Sequence, residues 1–598
     1  MGVRHRLPIR GVFFNTTQGS LARVLPDTQS NRLQETPAHA GRSSEIFLWS
    51  PWFLALIVTL VNVAKPVLVD DTAYVAYARH IAKSPFDPYG FEMFWWTVPD
   101  SAMTVLVPPV VPYWLAVNIA LFGEYPWLLK LWKFPFLWVF AWAVRDLLRR
   151  FARGTESRML PLIVLSPALL PTVNLMLDVP AISLGLASMA VFVRATDSRS
   201  WRLTIAAGLL AALAMQTKYT ALLIPPAILW YGLTHRRIGL AVVAVGIGVA
   251  TFAGWELLLV AKYGESHFLY HASVQRPLPE PGESALAVLL REKGQLVPPL
   301  LGHLGCLGIG VTVVAGSILG VPRRVLAALG AVWVAGFVLI VFSARQFPEA
   351  AFWQSFGSLF LLALAVAAIV LVRRTEKGLR ICWNADSVFL VGWVLIEVAG
   401  YFALTPFGAA RRVIALTVIG GLLVARVTSR VERRRPDRRL PGWVVGFGIA
   451  AGFAVAALDT LDAFPEKVCA ERAAEFVAQR PASSTVWSVG HWGFQFYGER
   501  AGMKLLVPGG SVLMPGDYLV LPIYPNEEDF FRPHAGSVSI RPPTEAVEPI
   551  GEVVWDDAIA GQTVPNFYGG VNPIVRRDHP RLRVVVYRMK REWAVPGR

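Results

Sequence analysis

Two acidic sites and a few basic residues carry the chemistry this sequence has to offer. Asp70 and Asp71 stand in VDDTAYVAYARHIAKSPFDPYGFEMFWW, a helix-like run with aromatic and Ala residues at three-to-four spacing. A carboxylate there suits a general base that removes a hydroxyl proton during attack. The plainer role is capping, in which Asp71 with Thr72 accepts orphan amide protons at a helix start and suits its dipole. Asp178, in NLMLDVPAISLGL, lies at the end of an otherwise uncharged apolar run, where an ionisable group is a functional candidate. It suits orienting an acceptor, holding a base through water or helping to bind a metal. Followed by Pro180, it also makes a sensible helix start.

Lys218 in MQTKYTALL, Arg345 in SARQFPEA, and Arg411 with Arg412 in TPFGAARRVIAL stand beside apolar segments. Such cations hold a phosphate whose charge grows as a bond to it breaks, or they snorkel to lipid headgroups. His267 and His271 in ESHFLYHASVQRPLPEP are further candidate ligands or donors, against the plainer reading of solvated loop histidines. Asp70, Asp178 and His267 are the candidates should a divalent metal be used. No cofactor motif is evident.

The elements that must position these residues are membrane helices. The 598 residues are 54% hydrophobic and only 16% charged, too apolar for one water-soluble core. The net charge of +16 does not point to nucleic acid, because residues 461–598 hold 15 Lys and Arg beside 16 Asp and Glu, leaving the excess among the apolar runs. Cys306, Cys382 and Cys469 are read as buried thiols rather than a disulfide framework. About thirteen spans are expected, at roughly 46–64, 127–147, 158–173, 179–195, 202–217, 219–234, 238–260, 297–321, 325–344, 350–372, 386–404, 411–428 and 441–460. The segment 104–122, rich in Pro108, Pro109 and Pro112, is read as juxtamembrane or re-entrant. Loop charge then alternates, with 29 Lys and Arg inside and 11 outside.

Three regions follow: a disordered cytoplasmic leader 1–45, a transmembrane part 46–460 with outer loops 65–126 and 261–296, and an extracytoplasmic α/β domain 461–598. In the last, EKVCAERAAEFVAQ reads as an amphipathic helix, STVWSVG, DYLVLP and LRVVVYRM as strands, and GFQFYGERAG as a helix start. This domain shows no catalytic constellation, even with His491, Trp492 and Tyr497, and is expected to cover the site or help receive an acceptor.

The order of VDDTAYVAYARHIA, VPPVVPYWLAVNIALFG, LMLDVPAISLGLASMAVF, AALAMQTKYTALLIPPAIL, GAARRVIAL and TVWSVGHWGFQFYGERAG resembles the GT-C superfamily. These are polytopic membrane glycosyltransferases that include protein O-mannosyltransferases and lipid A aminoarabinose transferases. The resemblance covers roughly residues 46–505. It implies a mainly α polytopic fold in a bacterial inner membrane and a polyprenyl-phosphate-linked sugar donor. The acceptor would be a hydroxyl on a lipid, glycan or protein. Carried over, Asp70 is the base with Asp71 beside it, Asp178 is the second acidic site and Lys218 the threonine-lysine residue. Many relatives have Asp-Glu at Asp70-Asp71 and Arg-Tyr at Arg411-Arg412. The implied reaction is one inverting displacement, in which a phosphate leaving group needs no strong general acid. Rival readings are a transporter or flippase of lipid-linked sugars, which would show internal repeats, and a non-catalytic relative.

Overall fold

The computed structural model describes residues 50–95, 98–274, 284–343, 346–372, 384–480, 484–523, 542–577 and 580–597. The leader, Arg345, Cys382 and the 373–380 loop lie outside the described residues. Helices dominate the chain to residue 478, and a strand-rich region follows. The class expected, a mainly α polytopic protein with a small α/β region at its C-terminal end, is what is found.

Among the described residues eight helices are long and apolar enough to cross a bilayer, or nine if one bent pair counts as a single span. The difference from thirteen has local causes. At 158–173 the helix Glu156–Val164 is only nine residues, about 14 Å at 1.5 Å per residue. Pro167 and Pro171 then prevent continuation, and a 3-10 turn Leu170–Thr172 follows. The run at 297–321 divides at Gly308 into Val297–Leu307 and Ile309–Leu319, bent by 74°. Pro51–Val63 and Trp201–Met215 are shorter apolar helices, as is the stretch Tyr219–Thr234. Val110–Phe122, in the segment expected not to cross, is 13 residues long.

Polar groups collect at opposite ends of the same helices. Arg411 and Arg412 form a 3-10 turn just before the 21-residue helix Ile414–Arg434, which is about 30 Å long. Further along that helix, Arg426 and Glu432 pair with Asp386 (3.1 Å) and Arg158 (2.6 Å), and His235 and Arg150 also reach Asp386.

The last apolar span runs over 37 residues from Gly442 to Ala478 as two helices, Gly442–Asp462 and Phe464–Ala478, and the expected boundary at 460 falls just before their junction at Ala463. Beyond it a five-stranded sheet has the order Lys504–Leu505, Val486–Ser488, Tyr518–Ile523, Leu582–Met589, Val547–Trp555. Val486–Ser488 pairs in parallel with both neighbours, and Leu582–Met589 runs antiparallel to both of its own. The strands and helices expected in this region are present. The edge strand Val547–Trp555 is an addition, and its Pro549 and Gly551 coincide with a register shift opposite Val586 and Tyr587. Ile46–Arg598 forms one compact unit.

Candidate active site

The chain leaves helix Pro51–Val63 through an irregular segment and re-enters helix at Asp71–Lys83. Between them Val69 has φ 47, left-handed backbone that a β-branched residue adopts only when its surroundings force it. The C-terminal region packs against this segment two residues earlier. The Val67 amide donates to Tyr497 Oη at 3.0 Å, and Gly493 packs so closely that a Cβ there would lie 2.7 Å from the Val67 carbonyl oxygen. Trp492, at the start of that same short helix, is also left-handed, with φ 52.

Neither aspartate of the pair caps the helix. Asp70 makes no side-chain cap bond, and both Asp71 carboxylate oxygens are buried without a hydrogen-bond partner. The two side chains are divided by location. Asp70 lines a cavity of about 1120 Å³ and accepts a hydrogen bond from Arg411 Nη1, whereas Asp71 is fully buried off the cavity. Burial raises the Asp71 pKa to about 6 against the opposing pull of Lys130, Lys133 and Lys65.

Asp178 begins the helix Asp178–Ser198 and pairs with Lys218, which stands in extended backbone between Trp201–Met215 and the turn Tyr219–Leu223. Lys218, Arg411 and Arg412 all line the cavity, while Asp178 lies behind it in the field of all three cations. Burial opposes the charge of Arg411, but Asp70 and Asp178 outweigh it and hold that guanidinium above its usual pKa. Arg412 differs: burial and the neighbouring Arg411 push it down to about 10. Among the described residues no hydrogen bond or ion pair reaches its guanidinium, which lies 5.2 Å over the Phe407 ring.

The histidines separate in the same way. His267 is buried with both ring nitrogens engaged, one with Tyr219 Oη at 2.6 Å and the other with the Val105 carbonyl at 3.1 Å. His271 lines the cavity with Nε2 unpartnered, and burial lowers its pKa to about 3, so it is neutral. Among the described residues no three His, Cys, Asp or Glu side chains gather as a metal site. Asp70 and Asp178 face a guanidinium and an ammonium instead, so the donor set does not fit an ion and no step is derived through one.

Several contributors escaped the sequence reading. From the C-terminal region, Gln562, Tyr568 and Arg581 line the cavity beside Trp492, which the sequence reading named without a role. They are anchored by a buried chain of polar contacts. Lys65 pairs with Asp459, Tyr568 Oη donates to the same carboxylate at 3.1 Å, Thr563 Oγ1 donates to its other oxygen at 2.7 Å, and Arg581 pairs with Asp462. Lys130 and Lys133 are buried beneath Asp71. Their signal was two lysines inside an otherwise apolar run, PWLLKLWKFPFLWVF, where ionisable groups are expensive.

Residues 106–255 match the Dolichyl-phosphate-mannose-protein mannosyltransferase family. No curated protein matches the chain significantly in sequence. Among solved structures, ArnT from Cupriavidus metallidurans bound to undecaprenyl phosphate is 16% identical, with 92% of this chain and 98% of that one covered at a TM-score of 0.39. The archaeal oligosaccharyltransferase AglB from Archaeoglobus fulgidus is 11% identical over 81% of this chain and 70% of that one, with a TM-score of 0.42. The arabinofuranosyltransferase AftD from Mycobacteria is 13% identical over 91% and 40%, also at 0.42. The family match, over the stretch that holds Asp178 and Lys218, bears out the resemblance of this multi-pass protein to the GT-C membrane glycosyltransferases, enzymes of lipid-linked sugar donors.

Proposed function

We propose that this protein is an inverting glycosyltransferase that moves a sugar from a polyprenyl-phosphate donor to an acceptor hydroxyl on the outer side of the membrane. The observation that carries the reading is one cavity whose wall brings Asp70 together with Lys218, Arg411 and Arg412, in a lining that also includes Lys293, Arg581, Glu292, Asp462 and Glu466. The family's donor, a sugar on a lipid phosphate, has the matching chemistry. The transmembrane part would supply the prenyl-binding walls and the region beyond residue 461 the cover over the acceptor side.

Asp70 accepts the acceptor's hydroxyl proton while the hydroxyl oxygen bonds to the anomeric carbon from the face opposite the phosphate. The bond from that carbon to the phosphate oxygen breaks, and its electron pair leaves with the polyprenyl phosphate. Arg412 and Arg411 meet the growing charge. Because Arg411 holds Asp70 beforehand, arrival of the phosphate exchanges one anion for another and frees the carboxylate for the acceptor. Asp178 acts by holding Lys218 at the cavity wall. The test is incubation of the purified protein with polyprenyl-phosphate sugars and candidate acceptors, with release of polyprenyl phosphate and the product's anomeric configuration as readouts. A retained configuration, or no consumption of any donor, would reject the reading.

A further inference from the structure

Lys130 lies in the helix Pro126–Leu131 and Lys133, three residues on, in the turn that joins it to Phe134–Phe151. They are 4% and 2% exposed, and neither lines the cavity. Their ammonium groups hold backbone rather than carboxylate. Lys130 Nζ donates to the carbonyl oxygens of Lys65 and, at 3.0 Å, Pro66. Lys133 Nζ donates to those of Asn174 at 2.5 Å and Met176 at 2.7 Å.

The first two carbonyls belong to the irregular segment that leads into Asp70, and the second two to the irregular segment that leads into Asp178. Irregular backbone within apolar surroundings leaves carbonyls that need donors, and an ammonium offers three. The Asp71 carboxylate, without a hydrogen-bond partner, lies in the field of both lysines and offsets their charge. Lys130 in the helix Pro126–Leu131 and Lys133 in the turn that leads into Phe134–Phe151 therefore index, three residues apart, two segments that have no regular structure to fix them, and each segment ends at an acidic residue of the site.

We propose that Lys130 and Lys133 are positioning residues that set the spacing between Asp70 and Asp178, and with it the geometry of base and cation clamp. The proposal rests on the catalytic reading above. A misplacement of about 1 Å costs on the order of 10²-fold in rate when reacting groups must be aligned.

The experiment uses the full chain in lipid nanodiscs, with Lys130→Met, Lys133→Met and the neutral donors Lys130→Gln and Lys133→Gln. Expected is a fall in kcat of roughly 10- to 100-fold for the Met variants, with donor KM within about twofold, and a smaller fall for Gln, which still donates to a carbonyl. Hydrogen exchange provides a readout that needs no turnover. Lys130→Met should speed exchange in 65–70 and spare 174–178, and Lys133→Met should do the reverse. Parental kcat in the Met variants, or exchange that rises equally in both segments, would overturn the proposal. Should Lys133→Met not fold, Lys133→Gln decides it by the same two readouts. Parental protein that transfers no sugar defeats the catalytic reading alone, because the exchange pattern still upholds or overturns the positioning role.

Discussion

Arg411 Nη1 donates to Asp70 Oδ2 at the wall of the cavity, joining a residue just before one helix to a turn 341 positions later in the chain. The pair places the proposed base and the proposed phosphate ligand in direct contact. Asp70→Asn keeps the shape and the acceptor oxygen but removes the basicity. Transfer should fall by about 10²- to 10⁴-fold while donor binding holds or tightens, since Arg411 loses its competing anion. Turnover of a labelled polyprenyl-phosphate sugar beside a direct donor-binding measurement checks this. A near-parental rate would send the search for the base to Asp178 or Asp71.

Arg412 is the cleaner probe of the phosphate. Its guanidinium has no carboxylate to leave behind, so Arg412→Ala should not lower the melting temperature. Donor affinity should fall about 10- to 100-fold, the equivalent of losing one charge-assisted contact of roughly 1.5–3 kcal/mol. An unchanged donor KM would mean that the phosphate sits elsewhere in the cavity.

What the sequence revealed of this site follows from how each residue is held. Asp70, Lys218, Arg411 and Arg412 stand out as charges beside apolar runs, and the fold brings all four to one cavity. Lys130 and Lys133 carry the same signal but sit inside a run that reads as an ordinary span, and a long aliphatic stem makes a lysine there look interfacial. Their partners are backbone carbonyls, which no side-chain pattern announces. The helix expected at 158–173 illustrates a different limit: composition counts apolar residues but does not register that Pro167 and Pro171 interrupt the hydrogen-bond ladder. Val547–Trp555 was hidden because Pro549 weakens any strand pattern, although an edge position tolerates it.

Asp71 gives a pH prediction. Its pKa rises from 3.8 to about 6 on folding, so the folded state holds the proton more tightly than the unfolded chain. The stability from that protonation is complete below about pH 4 and is lost as pH rises through 6, amounting to about 3 kcal/mol for two pKa units. Above that window both states are ionised and the contribution is flat. Thermal unfolding of Asp71→Asn should lack this decline, so the parent should lose ground to the variant between about pH 4 and 6. Parallel curves for the two proteins would show that Asp71 does not titrate there.

The orientation rests on loop charge, 29 Lys and Arg against 11. A reporter fused after Arg435 should be active only in the cytoplasm, and one at the end of the full chain only outside. The Arg150, Arg426 and Asp386 cluster would then face the cytoplasm and the Asp70 cavity the other side. A reporter active in the cytoplasm at the C-terminal end would invert the whole assignment, and the acceptor would have to be a cytoplasmic one.

The buried pair Lys65–Asp459 ties the segment that carries Asp70 to the span that carries the C-terminal region. Its side chains are 1% and 0% exposed, so each charge depends on the other. Lys65→Met leaves Asp459 ionised with only Thr563 and Tyr568 as donors, and should cost roughly 3–5 kcal/mol. Asp459→Asn added to it removes the stranded charge and keeps a carbonyl oxygen for one of the two hydroxyls, so the double variant should regain part of the loss. Melting temperature reports the stability, and protease cleavage beyond residue 478 reports whether the C-terminal region has come away. Equal instability of the single and double variants would show that the charge is not what matters, and that Lys65 acts through its 2.9 Å bond to the Pro171 carbonyl instead.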